Sequence, residues 1–155
     1  MTLSDNCVAL VKMSEGCRLD AYADSGGVWT IGYGHTGADV CSGLVWDEQQ
    51  CEAALRCDLE AAGEAVSRLV KVPLTQGQFD ALTDFVFNMG AHRLQASSLL
   101  FALNAGRYNA VPDQLCHLDA ETGEWHGWVL DDGKVLPGLV TRRQNEIKLW
   151  NGETL

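Results

Sequence analysis

The sequence contains few basic residues. It has 11 Lys and Arg against 21 Asp and Glu in 155 residues, a net charge of −10. Because such a chain repels phosphate backbones, nucleic-acid binding is not expected. Its apolar runs are far shorter than the ~20 residues that span a bilayer, so stable membrane insertion is not expected either. Residues 1–14 lack the apolar stretch and small-residue site of a signal peptide, which predicts synthesis in the cytoplasm without one.

Metal-binding patterns are also missing. None of the six cysteines forms a CxxC pair, and the acids of residues 119–124 do not have EF-hand spacing. We therefore expect no metal and no cofactor. Reduced, partly buried thiols are the favoured state, and a set of disulfides is the alternative. The cysteines are Cys7, Cys17, Cys41, Cys51, Cys57 and Cys116.

Apolar residues recur at helical spacing along much of the chain. Asp47 followed by Gln50, and Thr75 followed by Gln78, are capping-box patterns that open helices. Ser4 is expected to cap the first helix, and Ser97 or Ser98 to begin a later one. The predicted helices cover residues 4–14, 47–70, 75 to a stop at 88–90, 97–103, 108–118 and 139–150.

Two segments have strand and turn character instead. Residues 16–37 are dense in Gly, Tyr, Trp, Thr and Ile, with the likeliest turn at Ser25-Gly26-Gly27, and predict a small antiparallel sheet. Residues 119–136 contain two turn signals and predict a hairpin or long loop. The fold class is therefore α+β, in one domain over 1–155. The sheet lobe covers about 15–45, and a long helix joins it to a mostly helical lobe, about 71–155 plus the N-terminal helix.

Two carboxylates are the candidate chemical centre. Glu15 ends a helix and Asp24 follows nine residues later in the predicted sheet, so they come from different elements that can face one cleft. Glycoside hydrolysis uses such a pair, one protonated to donate to the leaving oxygen and one ionised across the sugar. Thr30 offers a hydroxyl that could help hold a water. The structural alternative is that Asp24 caps its own turn and Glu15 is simply solvated.

These residues belong to a longer pattern that resembles a known family. Residues 15–36 contain Glu-Gly, Asp24 and the run Thr-Ile-Gly-Tyr-Gly-His-Thr, and residues 85–90 read Phe-Val-Phe-Asn-Met-Gly. Further blocks lie at residues 97–106 and 138–146. In this order the blocks resemble the lysozymes of tailed phages, glycoside hydrolase family 24. The resemblance spans about residues 8–150 and implies a lysozyme-like fold.

The resemblance also implies roles by position. Glu15 would be the general acid, Asp24 the base or the carboxylate that orients water, and Thr30 an aid to that water, with inversion. The substrate would be the β-1,4 bond between N-acetylmuramic acid and N-acetylglucosamine in peptidoglycan. The residues matching the sugar cleft are Thr36, Phe87, Asn88, Ser97, Ser98 and, more weakly, Gln114. Supporting residues would be Arg142 or Arg143, either of which could orient Glu15, and His35, a structural residue paired with an acid.

The strongly acidic charge departs from the many basic phage lysozymes, because electrostatic steering to an anionic wall should be weak. Three readings of the function follow. The chain is an endolysin that reaches the periplasmic wall through holin pores, an interbacterial lysozyme toxin matched by an inhibitor or immunity protein, or a peptidoglycan-binding domain without turnover.

Overall fold

The computed structural model describes residues 1–24 and 26–155. The predicted turn at residues 25–27 therefore includes one position, Ser25, outside the described residues. The chain has a three-stranded antiparallel sheet near its start and helices over most of the remainder, which confirms the α+β prediction. Among the described residues, no helix combines the length and the apolar character needed to cross a bilayer.

Apart from α4, which was not predicted, and α6, the helices begin and end close to the predicted positions. Asp47 and Thr75 each form the capping box that their sequences predicted, with Gln50 and Gln78 respectively. Gly90, with φ of 89°, stops α3, where a residue with a Cβ would be strained. The helices are α1 (Asp5–Ser14), α2 (Glu48–Leu69), α3 (Gln76–Met89), α4 (Ala91–Gln95), α5 (Ser98–Asn104), α6 (Val111–Leu115) and α7 (Pro137–Trp150).

The first sheet lies against the start of the long helix. Its strands are β1 (Arg18–Ala23), β2 (Trp29–Gly32) and β3 (His35–Thr36), in the order β1-β2-β3. The register places Thr30 opposite both Tyr22 and Thr36. Both β2 and β3 contact α2, so this helix fixes the sheet relative to the other helices.

The main core lies among α2, α3 and α7. Phe79, Leu82, Phe85 and Val86, all predicted to be buried on α3, lie in it. A Cβ on Gly77 would collide with the main-chain carbonyl oxygen of Leu149, so the start of α3 and the end of α7 touch backbone to backbone.

Two local predictions were wrong. Residues 108–118 do not form one helix. A 3₁₀ turn (Tyr108–Ala110) leads into α6, and β4 (Cys116–Leu118) then pairs with β5 (Trp125–Gly127). Strand pairing overrides local helix propensity there. Ser4 precedes α1, but its hydroxyl donates to Asp80 at 2.6 Å and makes no capping bond.

The predicted hairpin region contains paired strands. Besides the β4–β5 pair, β6 (Leu130–Asp131) pairs with β7 (Lys134–Val135) around a turn at Asp132 and Gly133. Trp128 packs edge-on against Phe85 at 5.3 Å between ring centroids, so this region is anchored to the main core.

Candidate active site

Glu15 lies where α1 ends and the chain turns towards β1. Its backbone N–H donates to Val11, and its side chain is 32% exposed. It lines a cleft of about 540 Å³ between the sheet and the helices and is half-buried there. A second cleft, of about 440 Å³, meets the first at Glu15 and Asn88 and extends between α1 and the start of α7.

Several predicted cleft residues meet in this space. Thr36, Phe87 and Asn88 line the first cleft together with Glu15. Asn88 and Arg142 line the second with Glu15. The first cleft is closed on its other side by α2, which contributes Asp58 and Arg68.

The predicted Arg142 makes the closest contact to Glu15. Its Nη1 donates to Glu15 Oε1 at 2.5 Å, while its Nε and Nη2 donate to the two carboxylate oxygens of Asp84 at 2.8 and 2.9 Å. Burial opposes the charge on Arg142, but the hydrogen bonds and charges of Asp84 and Glu15 outweigh it, and its pKa is raised. One guanidinium therefore joins α1, α3 and α7.

Arg143 contacts different residues from those that Arg142 contacts. It is fully buried, donates to Glu146 at 2.5 Å and to Asn88 at 3.0 Å, and lies 3.9 Å from Asp84. Burial raises the pKa of Glu146 well above its ordinary value, although Arg143 acts in the opposite direction. Arg143 thus supports a residue that lines both clefts, and Arg142 is the arginine that contacts Glu15.

Asp24 lies at the tip of the β1–β2 hairpin, on the exposed surface. Its Oδ1 accepts the backbone N–H groups of Gly26 and Val28, both at 2.8 Å. This is the turn-capping geometry that the sequence left open as the structural alternative. The bonds use one carboxylate oxygen, and Asp24 Oδ2 has no bond to any described residue.

Thr30 shares a sheet face with Thr36 and lies near the hairpin tip that holds Asp24. Residues directly opposite on antiparallel strands project to the same side, as do residues two apart on one strand. Thr36 lies opposite Thr30, and the backbone N–H of Asp24 bonds to Val28, two residues before Thr30. Thr30 and Thr36 therefore face one side of the sheet, and Thr36 on that side lines the first cleft. Asp24 follows the end of β1, and neither Asp24 nor Thr30 is among the described residues that line the two clefts. Thr30 is buried, and its hydroxyl donates to the Val28 carbonyl at 3.1 Å.

The other predicted binding residues lie apart from the two clefts as lined by the described residues. Ser97 caps α5 by accepting from the backbone of Leu100, and its hydroxyl donates to the Leu94 carbonyl. Ser98 donates to Gln114 at 2.6 Å. These three predicted residues are engaged in contacts within the helical part.

His35 lies at the junction of β3 and α2. Its Nδ1 is 2.8 Å from Asp58, its Nε2 is 3.4 Å from Asp39, and its ring packs on Trp46. Burial alone would lower the pKa of His35, but the hydrogen bonds and charges of Asp58 and Asp39 outweigh it and raise the pKa.

Sequence reasoning missed Asp84, which accepts two hydrogen bonds from Arg142, the arginine that contacts Glu15. At 100° per residue, Asp80 and Asp84 lie on the side of α3 opposite the predicted apolar face, and the structure shows this side buried as well, since α3 also contacts α1 and α7. A fully buried acid requires a partner.

Comparison with known proteins decides the family. A model described as phage lysozyme matches residues 12–146. The chain belongs to the phage lysozyme family. The match includes Glu15, Asp24 and Thr30, and its last residue is Glu146 on α7.

Individual relatives agree with this assignment. An endolysin of Acyrthosiphon pisum secondary endosymbiont phage 1 is 38% identical over 97% of this chain and 98% of its own length. An endolysin of Bacillus phage B103 is also 38% identical over 97% of this chain, but the chain spans about half, 54%, of its length. The muramidase domain of SpmX from Asticaccaulis excentricus superposes with a TM-score of 0.79, at 35% identity, covering 96% of this chain and 97% of that one. The predicted lysozyme-like fold is confirmed.

Proposed function

We propose that this chain hydrolyses the β-1,4 bond between N-acetylmuramic acid and N-acetylglucosamine, with inversion, using Glu15 as general acid. Family membership carries the coarser statement: the chain is a peptidoglycan hydrolase of the muramidase class that acts on the bacterial cell wall. The observation that supports the finer one is the placement of Glu15, half-buried between two joined clefts and oriented by Arg142.

Each residue has one task in this mechanism. Glu15, protonated, donates to the glycosidic oxygen of a glycan strand lying along the joined clefts. Asp24, ionised, acts through its uncapped oxygen on a water, and Thr30 accepts a hydrogen bond from that water. Attack from the side opposite the leaving group inverts the anomeric centre. The hairpin contact of Asp24 with Val28, two residues before Thr30, and the pairing of Thr30 with Thr36 support this division.

The substrate-facing residues divide into two groups. Thr36, Phe87 and Asn88 line the cleft and would contact the sugars directly. Ser98 and Gln114 would contact the strand or its peptide only beyond the cleft, where Ser98 is exposed, and Ser97, which is buried, would hold Ser98 in place by capping α5.

The proposal is tested on isolated walls. Wild type should release muropeptides with new reducing ends, and the initial product should be the α-anomer. Glu15→Gln should abolish release while its thermal transition stays near that of wild type. Glu64→Gln, which makes the same change on an exposed α2 residue, should digest at the wild-type rate. Full activity of Glu15→Gln, or anhydro-sugar products, would contradict the mechanism.

We further propose that the protein reaches its substrate as an endolysin, through holin-dependent release. A toxin delivered between bacteria would be accompanied by a dedicated inhibitor, so recovery of such a protein with this chain from the producing cell would favour that alternative. The set of Glu15, Asp24 and Thr30 argues against a binding domain without turnover.

A further inference from the structure

Asp84 is a fully buried carboxylate that is paired with an arginine. It lies on α3 and accepts two nearly parallel hydrogen bonds from Arg142, at 2.8 and 2.9 Å. A bidentate arginine–carboxylate pair is both stronger and more directional than a single contact. Asp84 therefore determines how the Arg142 guanidinium lies.

The same guanidinium bonds to Glu15, and no rotatable bond separates its two contacts. The guanidinium is planar and rigid, so fixing its Nε and Nη2 on Asp84 also fixes the direction of Nη1. Nη1 is the atom that donates to Glu15. Asp84 thus acts on the acid through Arg142, since its own two oxygens are occupied by that arginine.

Charge gives Asp84 a second effect. Glu15 and Asp84 share one cation, so Asp84 neutralises a guanidinium that would otherwise favour ionised Glu15. The other charged groups around this centre are Arg143 and Glu146 from α7, which pair with each other. From α2, Asp58 and Arg68 line the cleft, and from the sheet come His35, held by Asp58, and the exposed Asp24. Arg142 is the one among them that bonds to Glu15 in the described structure.

We propose that Asp84 is a positioning residue for this hydrolysis: it orients Arg142 against Glu15 and offsets the arginine's charge, so that Glu15 keeps its proton to higher pH. This inference rests on the proposed function of Glu15. It goes beyond it by assigning the working pH range of the acid to a residue outside the cleft.

The chain offers a matched control one helical turn away. Asp80 is also on α3 and also buried, but it accepts from Ser4 and Gln76 instead of an arginine. Asp84→Asn and Asp80→Asn therefore remove the same charge from similar depth on the same helix. A difference in pH dependence between the two variants would therefore come from the ion pair of Asp84 with Arg142.

The readout is the pH dependence of kcat on isolated walls, corrected for the folded fraction. In Asp84→Asn the alkaline limb, where the general acid loses its proton, should move to lower pH by about one unit, so activity above it falls about tenfold. In Asp80→Asn the alkaline limb should stay at the wild-type pH. Asp84→Glu keeps the charge but displaces the carboxylate that holds the Arg142 guanidinium. Its alkaline limb should therefore stay at the wild-type pH while kcat falls.

Two results would overturn the inference. One is an unchanged limb in Asp84→Asn; the other is an equal displacement in Asp80→Asn. Should Asp84→Asn fail to fold, Asp84→Glu carries the test, and a wild-type kcat in that variant would refute the positioning role. An NMR titration of the Glu15 carboxyl carbon gives the same comparison without turnover. It tests Asp84 even if the wild type digests no wall, a result that would refute the proposed function alone.

Discussion

The two halves of the proposed active site are built differently. In the proposed acid half, Glu15 bonds to Arg142, which bonds to Asp84, and the last two side chains are almost fully buried between helices. The proposed base, Asp24, lies on an exposed hairpin tip and is held by two backbone N–H groups of its own turn. Buried polar pairs couple chemistry to stability, whereas an exposed turn residue can change its chemistry with little effect on the fold.

Asp24→Asn should show this separation most strongly. Asparagine retains an oxygen that accepts the Gly26 and Val28 bonds but lacks the charge needed to act on water. We expect turnover on walls to fall by about 10²–10⁴-fold, the range of a lost general base, with a free energy of unfolding within about 1 kcal/mol of wild type. Turbidity clearance and urea denaturation on the same preparation measure both. A large loss of stability would show that the two halves are built alike.

Arg142→Ala should show the opposite pattern, with a loss of the fold's stability. Removing the arginine leaves Asp84 buried and without its partner, which costs about 3–5 kcal/mol. Chemical denaturation checks this, and Arg56→Ala serves as the exposed control because Arg56 pairs with Glu52 and Asp5 at the surface. A cost below 1 kcal/mol for Arg142→Ala would mean that the helical half is not held by this pair.

His35→Gln tests the junction between the sheet, which holds Asp24, and the helices, which hold Glu15 and Arg142. The folded-state pKa of His35 is raised, so its pairing contributes fully below the unfolded pKa of about 6.5 and is lost as pH rises through the folded value. We expect the stability difference between wild type and His35→Gln to be about 1 kcal/mol larger at pH 6 than at pH 8. Denaturation at both values measures it, and a difference that grows with pH would contradict the assignment.

The last prediction concerns the alkylation of the cysteine thiols, which reports on their burial and involves no change in activity or stability. Burial raises the pKa of Cys51 to about 11 and also raises those of Cys7 and Cys116. In the folded, reduced protein at pH 8, iodoacetamide should modify the exposed Cys17, Cys41 and Cys57 first. The other three should react only in denaturant, as peptide mass spectrometry would show. Early labelling of Cys51 would place the packing of the sheet on α2 in doubt.

Sequence reasoning recovered the features that depend on local patterns. The capping boxes at Asp47 and Thr75 and the strand residues around Thr30 follow from local rules, and so do the helix bounds near them. The region 108–118 was misassigned because β4 is a strand only by virtue of its partner, β5, which follows seven residues later.

The site residues show the same division between features that follow from local patterns and features that depend on distant partners. Glu15 and Asp24 stand out because they lie within a recognisable stretch of residues, and Arg142 because it repeats a family pattern. Asp84 was missed because its role depends on an arginine 58 positions away along the chain. The helical pattern places Asp84 on the polar side of α3, and only the packing of α3 on α7 buries it and brings Arg142 to it.

The contact between Glu15 and Arg142 joins positions 127 residues apart. During translation the ribosome produces the acid long before the helix that orients it. A nascent chain that has not yet added α7 holds its acid without the guanidinium, and the start of α3 lacks the Leu149 backbone against which Gly77 fits. The contacts that orient the proposed acid and seat α3 are therefore complete only after α7 has been synthesised.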